Sequence, residues 1–220
     1  MTIDGIHTIG LIGAGKIGGQ VARAVIDAGY DVVISNSRGP ETLADLLAEL
    51  GPQARAATAA EAAEAGDLVV VSVPVKAVPD IPSAPLAGKT VVDTNNYYPQ
   101  RDGQIADLDT QALTSSGLLQ RHLPESQVVK AFNHITWNQI TADATPPGTQ
   151  DRRALTVAGD DAVAKAQVTQ LLDEIGFDTV DIGPLTESWR IEPGTPGYGP
   201  RLNADELSTA VVAAVRAAPR

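Results

Sequence analysis

Ten residues near the start of the chain, Ile9-Gly10-Leu11-Ile12-Gly13-Ala14-Gly15-Lys16-Ile17-Gly18, constrain the fold more than any other stretch. An apolar run that breaks into closely spaced glycines and then resumes at helical spacing carries the main chain through a bare turn. Gly13 and Gly15 have no Cβ, so their N–H groups are expected to face the space above that turn, where a pyrophosphate would fit at a helix N-terminus. Gly18, one turn later, would let the helix lie tightly against the strand that feeds it. Ala14, Lys16 and Ile17 complete the set, Lys16 adding a local cation.

Ile6 to Ile12 has the look of a buried first strand, Ile17, Val21, Val25 and Ala28 recur on one helical face toward Gly29, and Asp31 to Ser35 forms a second strand. A glycine fingerprint on its own recurs by chance; inside a strand-helix-strand unit of about 30 residues it points to dinucleotide binding. The end of the second strand bears on which dinucleotide. Sites for NAD place Asp or Glu there to bond both ribose hydroxyls, whereas this chain has Asn36-Ser37-Arg38. An acid would repel a 2′-phosphate; amide, hydroxyl and guanidinium groups bond it, which favours NADP(H). The competing reading is an ordinary polar turn with a solvated arginine.

The remaining chain continues the alternation. Glu41 to Leu50 turns Leu43, Leu46, Leu47 and Leu50 to one face, and an Ala/Glu-rich stretch through Ala65 follows as short strand and helix. Asp67 to Pro74 is the β-branched run of a strand buried on both faces. Val75 to Gly88 is proline-rich and expected to cross back irregularly, Thr90 to Thr94 is a strand, and the loop Asn95 to Gly103 is dense in amides and aromatics at a strand's carboxyl end, where it is expected to contact the nicotinamide or substrate, the competing reading being an ordinary turn. Leu108 to Leu123 is expected as one helix, Gln127 to Phe132 as a strand, and Arg153 to Ala158 and Phe177 to Ile182 as strands bracketing a helix with Val168, Leu171, Leu172 and Ile175 inward. Trp189 to Pro200 is too rich in proline and glycine for a helix, and a last helix, Asn203 to Ala217, carries Leu207, Val211, Ala214 and Val215 on one stripe. The expected architecture is α/β: a Rossmann-type, doubly wound, mainly parallel sheet with helices on both faces. Residues 1–192 form the cofactor-binding domain, and residues 193–220 a loop-and-helix extension serving as lid or dimer arm, or lying as a surface tail.

Composition excludes several function classes. A formal charge of −11 over 220 residues argues against nucleic acid or anionic membrane as partners, since both need a basic face. The absence of cysteine removes disulfides and thiolate chemistry, and the absence of both a basic, apolar leader in Met1 to Gly5 and an apolar membrane span favours a cytoplasmic location. His7, His122 and His134 show no metal-ligand spacing, so no metal is expected. No tyrosine is followed four residues later by lysine, which removes one familiar proton relay. Asn133 and His134, at the end of a strand that opens on the crevice, are the candidate catalytic residues; His134 would either protonate a substrate or, with Asn133 and Thr136, form a neutral polar wall.

Five segments taken together, Gly13 to Gly18, Asn36 to Arg38, Val71 to Pro74, Asp93 to Asn96 and Val129 to Asn133, resemble the NADPH:coenzyme F420 oxidoreductase family and are similar to the cytosolic reductase domain of six-transmembrane ferric reductases. The resemblance runs from the first strand to about Pro193. It implies a compact, often homodimeric NADP(H) domain that passes hydride between nicotinamide and a small-molecule redox acceptor, either the deazaflavin coenzyme F420 or a flavin such as FMN or FAD. By position it implies that Ser37 and Arg38 hold the 2′-phosphate and that Val73, Pro74, Asn95, Ala131, Phe132 and Asn133 border the nicotinamide. Deazaflavin reductases often carry His where Asn133 stands, and the ferric-reductase domains carry Asn, so the acceptor stays open. Reduction of a small imine or keto acid, and an NADP-sensing module without turnover, are the other readings.

Overall fold

The computed structural model describes residues 3–218; Met1, Thr2 and the last two residues of the C-terminal extension lie outside them. Strand β1 (Thr8–Ile12) passes through the glycine turn into α1 (Lys16–Asp27) and on to β2 (Asp31–Ser35). A 3-10 turn (Pro40–Leu43), α2 (Ala44–Leu50), β3 (Ala54–Ala56), α3 (Ala59–Ala65) and β4 (Leu68–Val71) follow. Two 3-10 segments (Val75–Asp80, Ala84–Leu86) lead to β5 (Thr90–Asp93), and then come the short turns α4 (Pro99–Asp102) and α5 (Ala106–Asp109), α6 (Ser115–His122) and β6 (Gln127–Lys130). The chain closes with α7 (Gln139–Ala142), β7 (Ala154–Gly159), α8 (Ala162–Glu174), β8 (Asp178–Asp181), a 3-10 segment (Leu185–Ile191) and α9 (Ala204–Val212).

The strands lie in the order β3-β2-β1-β4-β5-β6-β7-β8. Pairing is parallel from β3 to β6, β7 joins β6 antiparallel, and β8 pairs parallel with β7. Successive strand residues divide between the two faces, as a period of two requires. Leu68, Val70, Val92 and Val129 pack with Val21 and Val25 of α1 and with Val168, Leu171 and Leu172 of α8. Val69, Val71, Val91 and Val128 pack with Leu119 and Leu123 beside α6. Burial on both faces explains why β4 is an unbroken Leu-Val-Val-Val run rather than an alternating one. Gly10 is the exception inside β1, because a Cβ there would sit 2.3 Å from the Ala62 carbonyl oxygen of α3. Strand order reverses between β1 and β4, which opens the crevice at the carboxyl edge where such sheets bind ligands.

Three boundaries depart from expectation. The Leu108–Leu123 helix is interrupted, since Gln111 adopts φ +59° and Thr114 starts α6 afresh by accepting a hydrogen bond from the Gly117 N–H at 3.0 Å. Trp189 to Ile191 belong to a 3-10 segment that buries Ile191. The last helix ends at Val212, so Leu207, Val211 and Ala214 are buried while Val215 is 83% exposed.

The stretch between Pro193 and Leu202 is bonded to the domain. The Gly199 N–H donates to the His134 carbonyl at 3.1 Å and the Ala154 N–H to that of Leu202 at 2.8 Å. The buried Arg153 guanidinium pairs with Asp143 at 2.6 Å and reaches the carbonyls of Gly199 and Pro200 at 3.5 and 3.4 Å. Burying a guanidinium is costly unless it is paired and hydrogen-bonded, and these contacts fix the segment across the ends of β6 and β7.

Candidate active site

The glycine turn is built for close approach, although its two leading glycines divide the work differently from expectation. Gly13 takes φ +111°, and its N–H is spent on the Ser35 carbonyl at 3.0 Å, so it shapes the turn without offering a donor to a ligand. A Cβ on Gly13 would lie 2.1 Å from the Ser72 oxygen, and one on Gly18 would lie 1.9 Å from the Gly13 oxygen. Gly15 is the open position: beyond its own chain neighbours, no described residue places an atom within 4 Å of where its Cβ would be. It caps α1 without any side-chain hydrogen bond, which leaves the first-turn N–H groups and the positive end of the helix facing that space. Ala14 and Ile17 are partly buried against the core. The Lys16 ammonium stands 5.4 Å from the centroid of the Trp137 ring, and Trp137 is 40% exposed.

At the end of β2, Asn36 organises the turn: its Oδ1 accepts from the Arg38 N–H at 2.9 Å and its amide donates to Thr42 Oγ at 2.8 Å. Ser37 and Arg38 are exposed, and no ion pair among the described residues engages the Arg38 guanidinium. The strand end thus presents a hydroxyl and a free guanidinium with no carboxylate between them.

At the other end of the crevice, the ends of β4, β5 and β6 bring the second group of predicted residues together. The Val73 N–H donates to Asn95 Oδ1 at 2.9 Å, with the exposed Pro74 next in the chain. Asn133 donates through Nδ2 to the Ile191 carbonyl at 2.8 Å and to Asn96 Oδ1 at 3.2 Å. These partners fix which end of each amide is nitrogen and which is oxygen. Among the described residues, two polar atoms of these amides then have no partner: the donor Asn95 Nδ2 and the acceptor Asn133 Oδ1, on residues only 5% and 3% exposed. Ala131 is buried and donates its N–H to the Asp93 carbonyl at 3.1 Å. Phe132, fully buried, takes φ +61°, a conformation that costs a non-glycine residue of order 1–3 kcal/mol and turns the chain sharply off β6.

His134 stands behind this edge. It is 2% exposed, and its Nε2 accepts from the Thr156 N–H at 3.0 Å. Burial pushes its pKa down to about 3, helped by the positive charge of Arg153 and opposed weakly by the Gly197 backbone. The ring is therefore neutral near pH 7 with Nε2 already used as an acceptor.

The loop Asn95 to Gly103, which the sequence marks as a nicotinamide or substrate contact, completes the edge together with Tyr198, which the sequence does not mark. Asn96 Nδ2 donates to the Asn133 carbonyl at 2.7 Å, and the Tyr98 and Tyr198 hydroxyls are 2.6 Å apart. Burial, then the bond to Tyr98, pushes the Tyr198 phenol above its ordinary range, so it stays protonated. Arg101 donates to the Asn96 carbonyl at 2.7 Å and stacks 5.0 Å from the Tyr98 ring centroid. Beneath the edge, Lys130 and Asp93 form an ion pair with both side chains fully buried. The available signal was a charge closing each of two apolar strands, which is stable inside a sheet only if the two meet. A separate cavity of about 250 Å³, between Tyr97, Tyr98, Trp189, Glu192 and Arg216, includes none of the fingerprint residues. Among the described residues no cluster of His, Asp or Glu is suited to a metal, and no helix is long and apolar enough to cross a membrane.

The chain is similar to several known proteins. Residues 8–97 match the family model described as NADP oxidoreductase, coenzyme F420-dependent. A hypothetical protein from Sinorhizobium meliloti is 30% identical, superposes with a TM-score of 0.75, and is covered over 93% of its length by 92% of this chain. A candidate F420-dependent NADP-reductase from Arthrobacter sp. FB24 is 28% identical with a TM-score of 0.71, over 84% of this chain and 87% of that one. Among curated proteins, rat metalloreductase STEAP3 is 28% identical over 190 residues, which are 84% of this chain and 35% of that protein. The chain thus spans about a third of the length of the metalloreductases it matches.

Proposed function

This chain belongs to the coenzyme F420-dependent NADP oxidoreductase family, and we propose that it transfers hydride between NADP(H) and a planar deazaflavin or flavin-type acceptor. The observation that carries this reading is the unpartnered pair at the strand ends, the donor Asn95 Nδ2 and the acceptor Asn133 Oδ1. A primary carboxamide offers the reverse set, one acceptor and two donors, so nicotinamide would satisfy both atoms. The open face over Gly15 supports a pyrophosphate at the start of α1, and Ser37 with Arg38 supports a 2′-phosphate at the end of β2.

Bound NADPH would supply the hydride, leaving as the oxidised pyridinium while the acceptor ring gains two electrons. The chain's own contribution is alignment. Asn95 and Asn133 would set the angle of the nicotinamide ring, Val73 and Phe132 would limit its depth, and the buried edge would keep water from the reacting faces. His134 has no part in this scheme; we assign it to tying the end of β6 to β7 through Thr156. A proton required by the acceptor would come from solvent, which suits a ring-type acceptor.

The test is anaerobic NADPH oxidation against a deazaflavin, FMN, a ferric chelate, and a panel of imines and keto acids. Turnover with a ring acceptor is expected. Turnover confined to imines or keto acids, or tight NADPH binding with no turnover on any acceptor, would overturn the proposal. Asn133→Ala should cut the rate about tenfold or more while 2′,5′-ADP, which lacks the nicotinamide, binds as before; an unchanged rate would remove Asn133 from the site.

A further inference from the structure

The ion pair under Asn95 has no part in the scheme above, and its contacts indicate what it does. Lys130 and Asp93 face each other in register on β6 and β5, Nζ to Oδ2 at 3.1 Å, with neither side chain exposed. Desolvating two charges in a sheet core generally offsets their attraction, so an apolar pair would serve stability as well. What an apolar pair could not do is hold the main chain of Asn95 from both sides. Asp93 Oδ1 accepts the Asn95 N–H at 2.9 Å, and Lys130 Nζ donates to the Asn95 carbonyl. The remaining groups are also engaged: Lys130 donates to Ser115 Oγ at 3.1 Å, and Ser116 Oγ donates to Asp93 Oδ2 at 2.6 Å. All three ammonium hydrogens are thereby used. Ser115 is held in turn by Glu192, which accepts from both its N–H and its hydroxyl at 3.2 Å.

We propose that Asp93 and Lys130 are positioning residues that set the Asn95 amide for the nicotinamide carboxamide. Opposite charges grip the peptide groups on either side of the Asn95 Cα, and Val73 fixes Oδ1, so Nδ2 is left with a single direction. The inference rests on the NADP(H) reading above and adds that recognition of the nicotinamide end depends on a charge pair that never touches the cofactor.

Calorimetric titration with two probes tests it: NADPH, and 2′,5′-ADP, which keeps the adenosine and the 2′-phosphate but has no nicotinamide. Lys130→Met and Asp93→Asn should each weaken NADPH about tenfold and leave 2′,5′-ADP within about twofold, whereas a general loss of structure weakens both. The double variant Asn95→Ala/Lys130→Met should bind NADPH no more weakly than Asn95→Ala alone, because Lys130 acts through that amide. Equal losses for the two probes, or additive losses in the double variant, would overturn the proposal. If Lys130→Met does not fold, Asp93→Asn, which keeps the Oδ1 acceptor, must show the split by itself, and its failure to do so refutes the idea. A wild-type protein that binds neither probe would refute the NADP(H) reading instead.

Discussion

Arg38→Glu tests the cofactor assignment most directly, because Arg38 is exposed and nothing in the fold relies on it. Its guanidinium has no partner among the described residues, while its N–H is fixed by Asn36 at 2.9 Å, so the turn should survive the change. A charge-assisted bond to a phosphate contributes about 1.5–3 kcal/mol, and exposure argues for the lower end. A carboxylate in its place adds repulsion of about 1 kcal/mol at 4 Å in water, counting one unit of the phosphate's charge as a lower bound. The sum, about 2.5 kcal/mol, corresponds to a loss of about 70-fold in NADPH affinity. NADH has no 2′-phosphate and should change by less than about threefold on the same scale. Isothermal titration of both nucleotides measures the ratio. Because the term is electrostatic and exposed, wild-type selectivity should also shrink as salt rises from 0.01 to 1 M and the screening length falls from about 30 to about 3 Å. Equal weakening of NADPH and NADH, or a preference indifferent to salt, would refute the placement of the 2′-phosphate.

The two glycines flanking Lys16 and Ile17 should respond in opposite ways. Gly18→Ala pushes a methyl to within 1.9 Å of the Gly13 oxygen and should cost about 1–3 kcal/mol, read as a lower Tm. Gly15→Ala meets no protein atom at a φ of −76°, so the Tm should hold while NADPH binding weakens at least about tenfold, by loss of a close backbone approach; unchanged binding would place the pyrophosphate elsewhere. His134 sets an acid limit on stability. Its folded pKa of about 3 lies below the ordinary imidazole value of about 6.5, so the unfolded chain takes up the proton first. The stabilisation is complete above about pH 6.5 and declines by up to about 1.4 kcal/mol per pH unit as the pH falls toward 3. His134→Gln should flatten that part of a urea-denaturation pH series relative to wild type, and an identical slope would show that the ring is not held neutral.

Much of the fold was legible because it is written in the main chain and in apolar periodicity. Gly18 marks where α1 must lie against the strand that feeds it, and the β-branched run of β4 marks a strand covered on both faces. Expectation failed where a single residue overrides periodicity. The apolar spacing from Leu108 to Leu123 fits one helix, but Gln111 at φ +59° breaks it and the Thr114 cap restarts it. Val215 fits the apolar stripe of α9, but the helix ends before the stripe reaches it.

The site divides along the same line. Its phosphate end is made of backbone and exposed cations, which motif and spacing can describe, and only the use of the Gly13 N–H, taken by Ser35 across the β1–β2 pair, escapes a linear reading. Its nicotinamide end is made of side chains that meet across strands 20 to 60 residues apart: Asn95 with Val73 and Lys130, Asn133 with Asn96 and Ile191. Register decides those meetings. Pairing Asp93 with Lys130 places a carboxylate against an ammonium; a slip of one residue on either strand would leave two unpaired charges in the core, at a cost far above that of the slip itself. The pair therefore also acts as a lock on the alignment of β5 and β6, and that alignment is what carries Asn95 and Asn133 to the same edge.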